Sequence, residues 1–135
     1  MSDIYGVREY GCEVGDYQMV SEWNEGHTGK ALAETLLPPV GVVVTQNGKG
    51  IAAGWMHLSA GIGVAFLENP VTKPGLDLKT ARAALEWAMG ALESVARSQG
   101  YSLLVANTLP GIGRVLERDQ GFERSGERVQ LTKRI

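Results

Sequence analysis

One cysteine, Cys12, and two histidines, His27 and His57, are all the sequence offers of the side chains that disulfides and soft metals need. A single cysteine closes no internal disulfide, and so thin a set of thiol and imidazole ligands argues against a structural zinc site. Cys12 has neither a histidine nor a clear helix start beside it, so it reads as a small, partly buried residue rather than a nucleophile. Long apolar runs are missing too. No stretch reaches transmembrane length and the N-terminus has no signal-peptide pattern, so a cytoplasmic protein without a membrane partner is expected. Nor is there a long basic stripe: 13 Lys+Arg face 15 Asp+Glu, for a net charge of −2. That balance disfavours general nucleic-acid binding. With no repeat, low-complexity tract or linker, the 135 residues are expected to form one domain, 1–135.

What is present suits a folded core. The hydrophobic fraction is 44%, and a chain near this length buries roughly 70% of its unfolded surface. Glycine is abundant, 18 residues, against an average usage of about 7%. Many turns or close backbone approaches follow from that excess.

The pattern along the chain is mixed. Ile4 to Tyr10 alternates and predicts a strand. Asp16 is a candidate cap for a short helix, Tyr17 to Asn24, which Gly26 to Gly29 interrupt. A second helical piece, Lys30 to Leu36, ends at Pro38 and Pro39. Val40 to Gln46 is a β-branched strand, Asn47-Gly48 a hairpin turn, and Gly50 to about Leu58 the return strand. Ile62 to Glu68 completes an antiparallel meander.

A long amphipathic helix follows, with Leu78, Ala81, Leu85, Ala88, Leu92 and Val95 on one stripe, Asp77 as N-cap and Gly100 past its end. Interior Gly90 costs about 1 kcal/mol relative to Ala, which close helix–sheet packing would offset. Leu103 to Ala106 reads as a central, parallel strand, Thr108 to Gln120 contains a last helix with Pro110 in its first turn, and Phe122 and Val129 to Leu131 begin two further strands.

This order resembles the GNAT superfamily of N-acetyltransferases across nearly the whole chain. Local features add to the resemblance: the strand and loop Phe66 to Thr80 before the long helix, its ending Gln99-Gly100-Tyr101, Asn107 closing the next strand, and Arg114 to Phe122 running into Gly-Phe. The resemblance implies an α+β fold with a mixed, mostly antiparallel sheet of about six to seven strands and about four helices. It implies acetyl transfer from acetyl-CoA to an amine, small or carried by a macromolecule, and it allows a homodimer. A GNAT-like module that binds CoA or a partner without catalysis is the alternative. Two departures stand out. The pyrophosphate loop reads KPGLDLKTA, with fewer glycines than the family usually has, and Glu117 stands where many members place a tyrosine acid.

Carried onto this chain, the resemblance puts Leu67, Asn69 and Asn107 beside the thioester arm and Gly75, Lys79, Thr80 and Ala81 near the pyrophosphate. Arg114, with Lys73 and Arg82, is a candidate for the outer phosphates. The helix start carries two cations, Lys79 and Arg82, where the dipole is positive, and a bound anion would reverse that mismatch. Glu68, after the apolar Ala65-Phe66-Leu67, is the first candidate general base; it could equally be an exposed strand-end carboxylate or pair with Lys73. His57 is the second candidate. Trp23 and His27 are candidates for the acceptor side, with Trp23 in the core as the other reading. Glu22, Glu25 and Glu34 would favour a cationic acceptor.

Overall fold

The computed structural model describes residues 3–135. Its elements run β1 (Tyr5–Glu9), α1 (Asp16–Thr28), a 3-10 turn (Glu34–Leu36), β2 (Val40–Gln46), β3 (Lys49–Leu58), β4 (Val64–Thr72), α2 (Leu78–Ser98), β5 (Leu103–Asn107) and α3 (Pro110–Asp119). The strands make one five-stranded sheet in chain order. Neighbours are antiparallel except β4 and β5, which run parallel. A parallel pair needs a crossover, and α2 supplies it. Asn47 and Gly48 both take positive φ, 52° and 83°, as a two-residue turn between right-twisted strands requires.

Side-chain alternation gives the sheet two different faces. On one face, Val42, Val44, Met56, Ala65 and Leu67 pack beneath Ala84, Leu85, Ala88, Met89 and Leu92 of α2, with Leu116 of α3 at the margin. On the other, Val43, Ala53, Trp55 and Val71 pack against Val20 and Trp23 of α1. Gly41 lies beneath Trp55: a Cβ there would stand 2.5 Å from Trp55 Cδ1, so only glycine fits. α2 closes as expected. Gly100 adopts φ 84°, its N–H donates to the Arg97 carbonyl, and the Tyr101 N–H donates to that of Ala96.

Several expectations change. Among the described residues there are five strands, not six or seven, and three α-helices, not four. Residues 121–135 form no strand, although Val129 and Leu131 alternate with polar residues; both lie exposed. Alternation supplies a face, but a strand also needs a partner ladder. α1 runs through Gly26 to Thr28 instead of stopping at Asn24. Within this helix the bare Cα of Gly26 lets Pro74 approach, whose Cγ would be 2.7 Å from a Cβ.

The piece from Lys30 to Leu36 is only a 3-10 turn, hemmed in by left-handed Gly29 and by Leu37, which is extended ahead of Pro38. Asp16 is the first residue of α1, not its cap: Gly15 takes that place. The Asp16 carboxylate turns back to Arg8, accepting two hydrogen bonds of 2.7 Å, and to the Gly11 N–H at 2.9 Å. Leu78 is exposed rather than part of the buried stripe of α2, and Gly90 faces open space. No packing offsets its cost.

Candidate active site

β4 and β5 separate at Glu68 and Asn107, the last residues they pair. β4 continues beside β3 through Asn69, Pro70, Val71 and Thr72, so a fork opens between the two strands. A bulge shapes it. Trp55 pairs with Glu68 and Ala53 with Val71, which leaves Asn69 and Pro70 together opposite Gly54. Asn69 adopts φ 50°, a left-handed conformation that asparagine tolerates better than most residues. Pro70 has no N–H to lose from a ladder. The stretch expected to be loop after Glu68 is therefore strand. The extra residue also reverses the alternation, so Phe66, Glu68 and Val71 share the face of Trp55 while Leu67 points to α2.

On the α1 side of the fork the sheet is only partly covered. Its floor is made by Phe66 and Glu68 of β4 and by Val105 and Asn107 of β5, with exposed His57 on β3 opposite Phe66. Glu68 is half-buried and accepts a hydrogen bond from Asn107 Nδ2 at 3.3 Å. The chain thus brings these two predicted residues together. It forms no ion pair between Glu68 and Lys73 among the described residues. Leu67 is 1% exposed, so its contribution at the fork is limited to main chain. Trp23 lies in the α1-side core with Trp55 and Val71. His27 donates from Nε2 to the Thr72 carbonyl at 2.8 Å, tying the end of α1 to the extension of β4.

The start of α2 is self-capped. Asp77 accepts a 2.7 Å hydrogen bond from the Thr80 N–H, and that bond, with Lys79 nearby, holds its carboxyl below the usual range. The N–H groups of Leu78 and Lys79 have no acceptor among the described residues. Gly75 is left-handed at φ 87° and open to solvent. Ala81 donates its N–H to the Asp77 carbonyl, as an ordinary helical residue.

Arg82 is engaged elsewhere. It makes a paired contact with Asp119 of α3, at 2.6 and 2.8 Å, which raises the guanidinium pKa and lowers the carboxyl. Arg82, Asp119, Leu78, Lys79, Ala83 and Glu86 line an open cavity of ≈ 660 Å³. Lys79 forms no ion pair among the described residues. Arg114 lies exposed on α3. Glu117 accepts a 2.9 Å ion-pair hydrogen bond from Arg124.

The acetyl-CoA co-substrate that the resemblance implies would meet two kinds of partner: the forked sheet for its arm, and free N–H groups with Lys79 for its phosphates. Asp77 stands against the second. Among the described residues, no group of three or more His, Cys, Asp or Glu is arranged to hold a metal, and no helix is long and apolar enough to cross a membrane. The sequence reading missed the partner of Arg82, because 37 positions separate it from Asp119. It also missed Phe66 as floor, although two-residue alternation from Glu68 points to it.

No protein-family model and no curated protein matches the sequence. Solved structures do. An acetyltransferase of Trypanosoma brucei superposes with a TM-score of 0.68 at 15% identity, over 96% of this chain and 100% of that one. The aminoglycoside N-acetyltransferase AAC(6')-Iy in complex with CoA gives 0.68 at 14%, over 100% and 98%. The ribosomal-protein-S18-alanine N-acetyltransferase of Escherichia coli gives 0.66 at 18%, over 91% and 80%. At these identities the likeness speaks for the fold. The chain has the fold of the GNAT N-acetyltransferases.

Proposed function

We propose that this protein is an acetyl-CoA-dependent N-acetyltransferase whose acceptor is an amine, free or borne by a larger molecule. The observation that carries the reading is the fork at Glu68 and Asn107, with a half-buried carboxylate on its floor. Solved structures of the same fold include an aminoglycoside N-acetyltransferase in complex with CoA and a ribosomal-protein-S18-alanine N-acetyltransferase.

Acetyl-CoA supplies the activated thioester. The chain supplies orientation and a proton acceptor. Main-chain groups of Leu67 and Asn69 border the acetyl end, and Asn107 holds Glu68 by its hydrogen bond. Glu68 takes a proton from the acceptor nitrogen as the N–C bond forms and the C–S bond breaks. The departing thiolate takes its proton from water, since Glu117, engaged with Arg124, replaces the tyrosine acid of many family members. Lys79 and the free N–H groups of Leu78 and Lys79 face the phosphates. His27 and Glu25, near the end of α1, belong to the acceptor side, where His27 acts by fixing the end of α1 against β4, while Trp23 serves the core beneath it.

Acetyl-CoA consumption, screened over mixed amines with free thiol as the readout, tests the reading. Amine-dependent thiol release is the expected outcome. The engaged Glu117 favours a second reading, a GNAT-like module that binds CoA without turning it over. Saturable CoA binding with no release on any amine would select it.

A further inference from the structure

A carboxylate stands where the resemblance puts a diphosphate. Asp77 is exposed at the N-terminus of α2 and already accepts from Thr80 at 2.7 Å. A helix start stabilises one anion through its free N–H groups and its dipole, and a second negative group in the same turn meets the first. The surrounding charges do not restore the attraction. In the adjoining cavity, Lys79 and Arg82 are matched by Glu86 and Asp119, and Arg82 is bound to Asp119 through both its Nε and a terminal nitrogen. Among the residues lining that cavity the charges therefore balance, and Asp77 beside it adds a negative one, with Arg118 the further cation that acts on Asp119.

We propose that Asp77 is a donor-specificity residue: its carboxylate competes with the donor's phosphates for the start of α2, so the chain holds a thioester donor chiefly through its pantetheine arm. This rests on the acetyltransferase reading and concerns the same site. CoA pays an electrostatic penalty at this helix that a phosphate-free pantetheine thioester avoids. The consequence is a relaxed requirement for the nucleotide end of the donor.

Calorimetric titration of the full chain with CoA and with phosphate-free acetyl-pantetheine tests this, comparing wild type with Asp77→Asn and Asp77→Ser. Both substitutions keep a good N-cap while removing the charge, and helical circular dichroism checks that α2 persists. The expected result is CoA binding tightened about fivefold in both variants, acetyl-pantetheine binding unchanged, and the gain for CoA shrinking as salt is raised. CoA affinity that stays the same or falls in both variants overturns the proposal while leaving the acetyltransferase reading intact. An equal gain for both probes also overturns it, because the effect would then not be read by phosphate. If neither probe binds wild type or variants, the acetyltransferase reading fails and the proposal fails with it.

Discussion

Glu68 owes its position to three neighbours: Trp55 across β3, Asn107 across β5, and Asn69, whose left-handed backbone begins the bulge. In the proposed role of proton acceptor it should be replaceable in shape but not in chemistry. Glu68→Gln should lower kcat/KM about 10²-fold or more, the usual scale for a positioned base, and leave CoA affinity unchanged. Steady-state rates beside a binding titration check this. Unchanged turnover would move the base elsewhere, with His57 next.

Asp16 governs stability in a separate place. It is 4% exposed and held by Arg8 and the Gly11 N–H; the Arg8 hydrogen bond foremost keeps its carboxyl below the usual range. The folded pKa is depressed, so the folded state binds this proton less readily than the unfolded chain. The stability it adds is complete above the ordinary aspartate value, about 4. It is lost as pH falls from there through the native value. Asp16→Asn should cost about 3 kcal/mol in urea unfolding at pH 7, and the difference between variant and wild type should narrow in acid.

The elements carry their own ledger of fit and misfit. α2 buries Ala84, Leu85, Ala88, Met89, Leu92 and Ala96 against the sheet while Gly90 faces outward with nothing within 4 Å. A methyl group there meets no neighbour and removes backbone freedom from the unfolded chain. Gly90→Ala should therefore stabilise the fold by about 0.5–1 kcal/mol, visible as a rise of a few degrees in Tm.

Much of α2 was legible in advance, since its 3.6-residue periodicity, Asp77 cap and Gly100 terminus are all local signals. The hairpin at Asn47-Gly48 was legible for the same reason. The bulge at Asn69-Pro70 was not, because it exists only relative to Gly54 on another strand. Likewise the alternation near Val129 and Leu131 is a true local pattern that no neighbouring strand completes.

At the scale of the molecule, the sheet is clamped between α1 and α2, and α3 is joined to this body by Leu116 and by the Arg82–Asp119 pair. That pair spans α2 and α3, so its loss should be felt as local opening rather than global unfolding. Arg82→Ala should raise amide hydrogen exchange in residues 110–119 and leave the exchange of β2 and β3 unchanged. Unchanged protection of residues 110–119 would show that the apolar contacts of Ile112 and Leu116 anchor α3 without the pair.

Local chemistry determined a good share of this protein: the helix α2 and its caps, the β2–β3 turn, the order of the five strands and of α1, α2 and α3, and Glu68 as a residue to watch, while Asn107 came from the family resemblance. Those readings need only neighbours within a few positions, and periodicity, turn residues and capping act over that range. Tertiary structure decided the rest. It joined Glu68 to Asn107 across 39 positions and Arg82 to Asp119 across 37, drew Trp23 into the core, and left the α1 side of the β4–β5 fork partly open. It also set the sign at the start of α2. Two cations suggested a vacancy for an anion, but Arg82 is bound to Asp119 and Asp77 already serves the helix end. Such pairings depend on which surfaces meet after folding, and no local pattern encodes them.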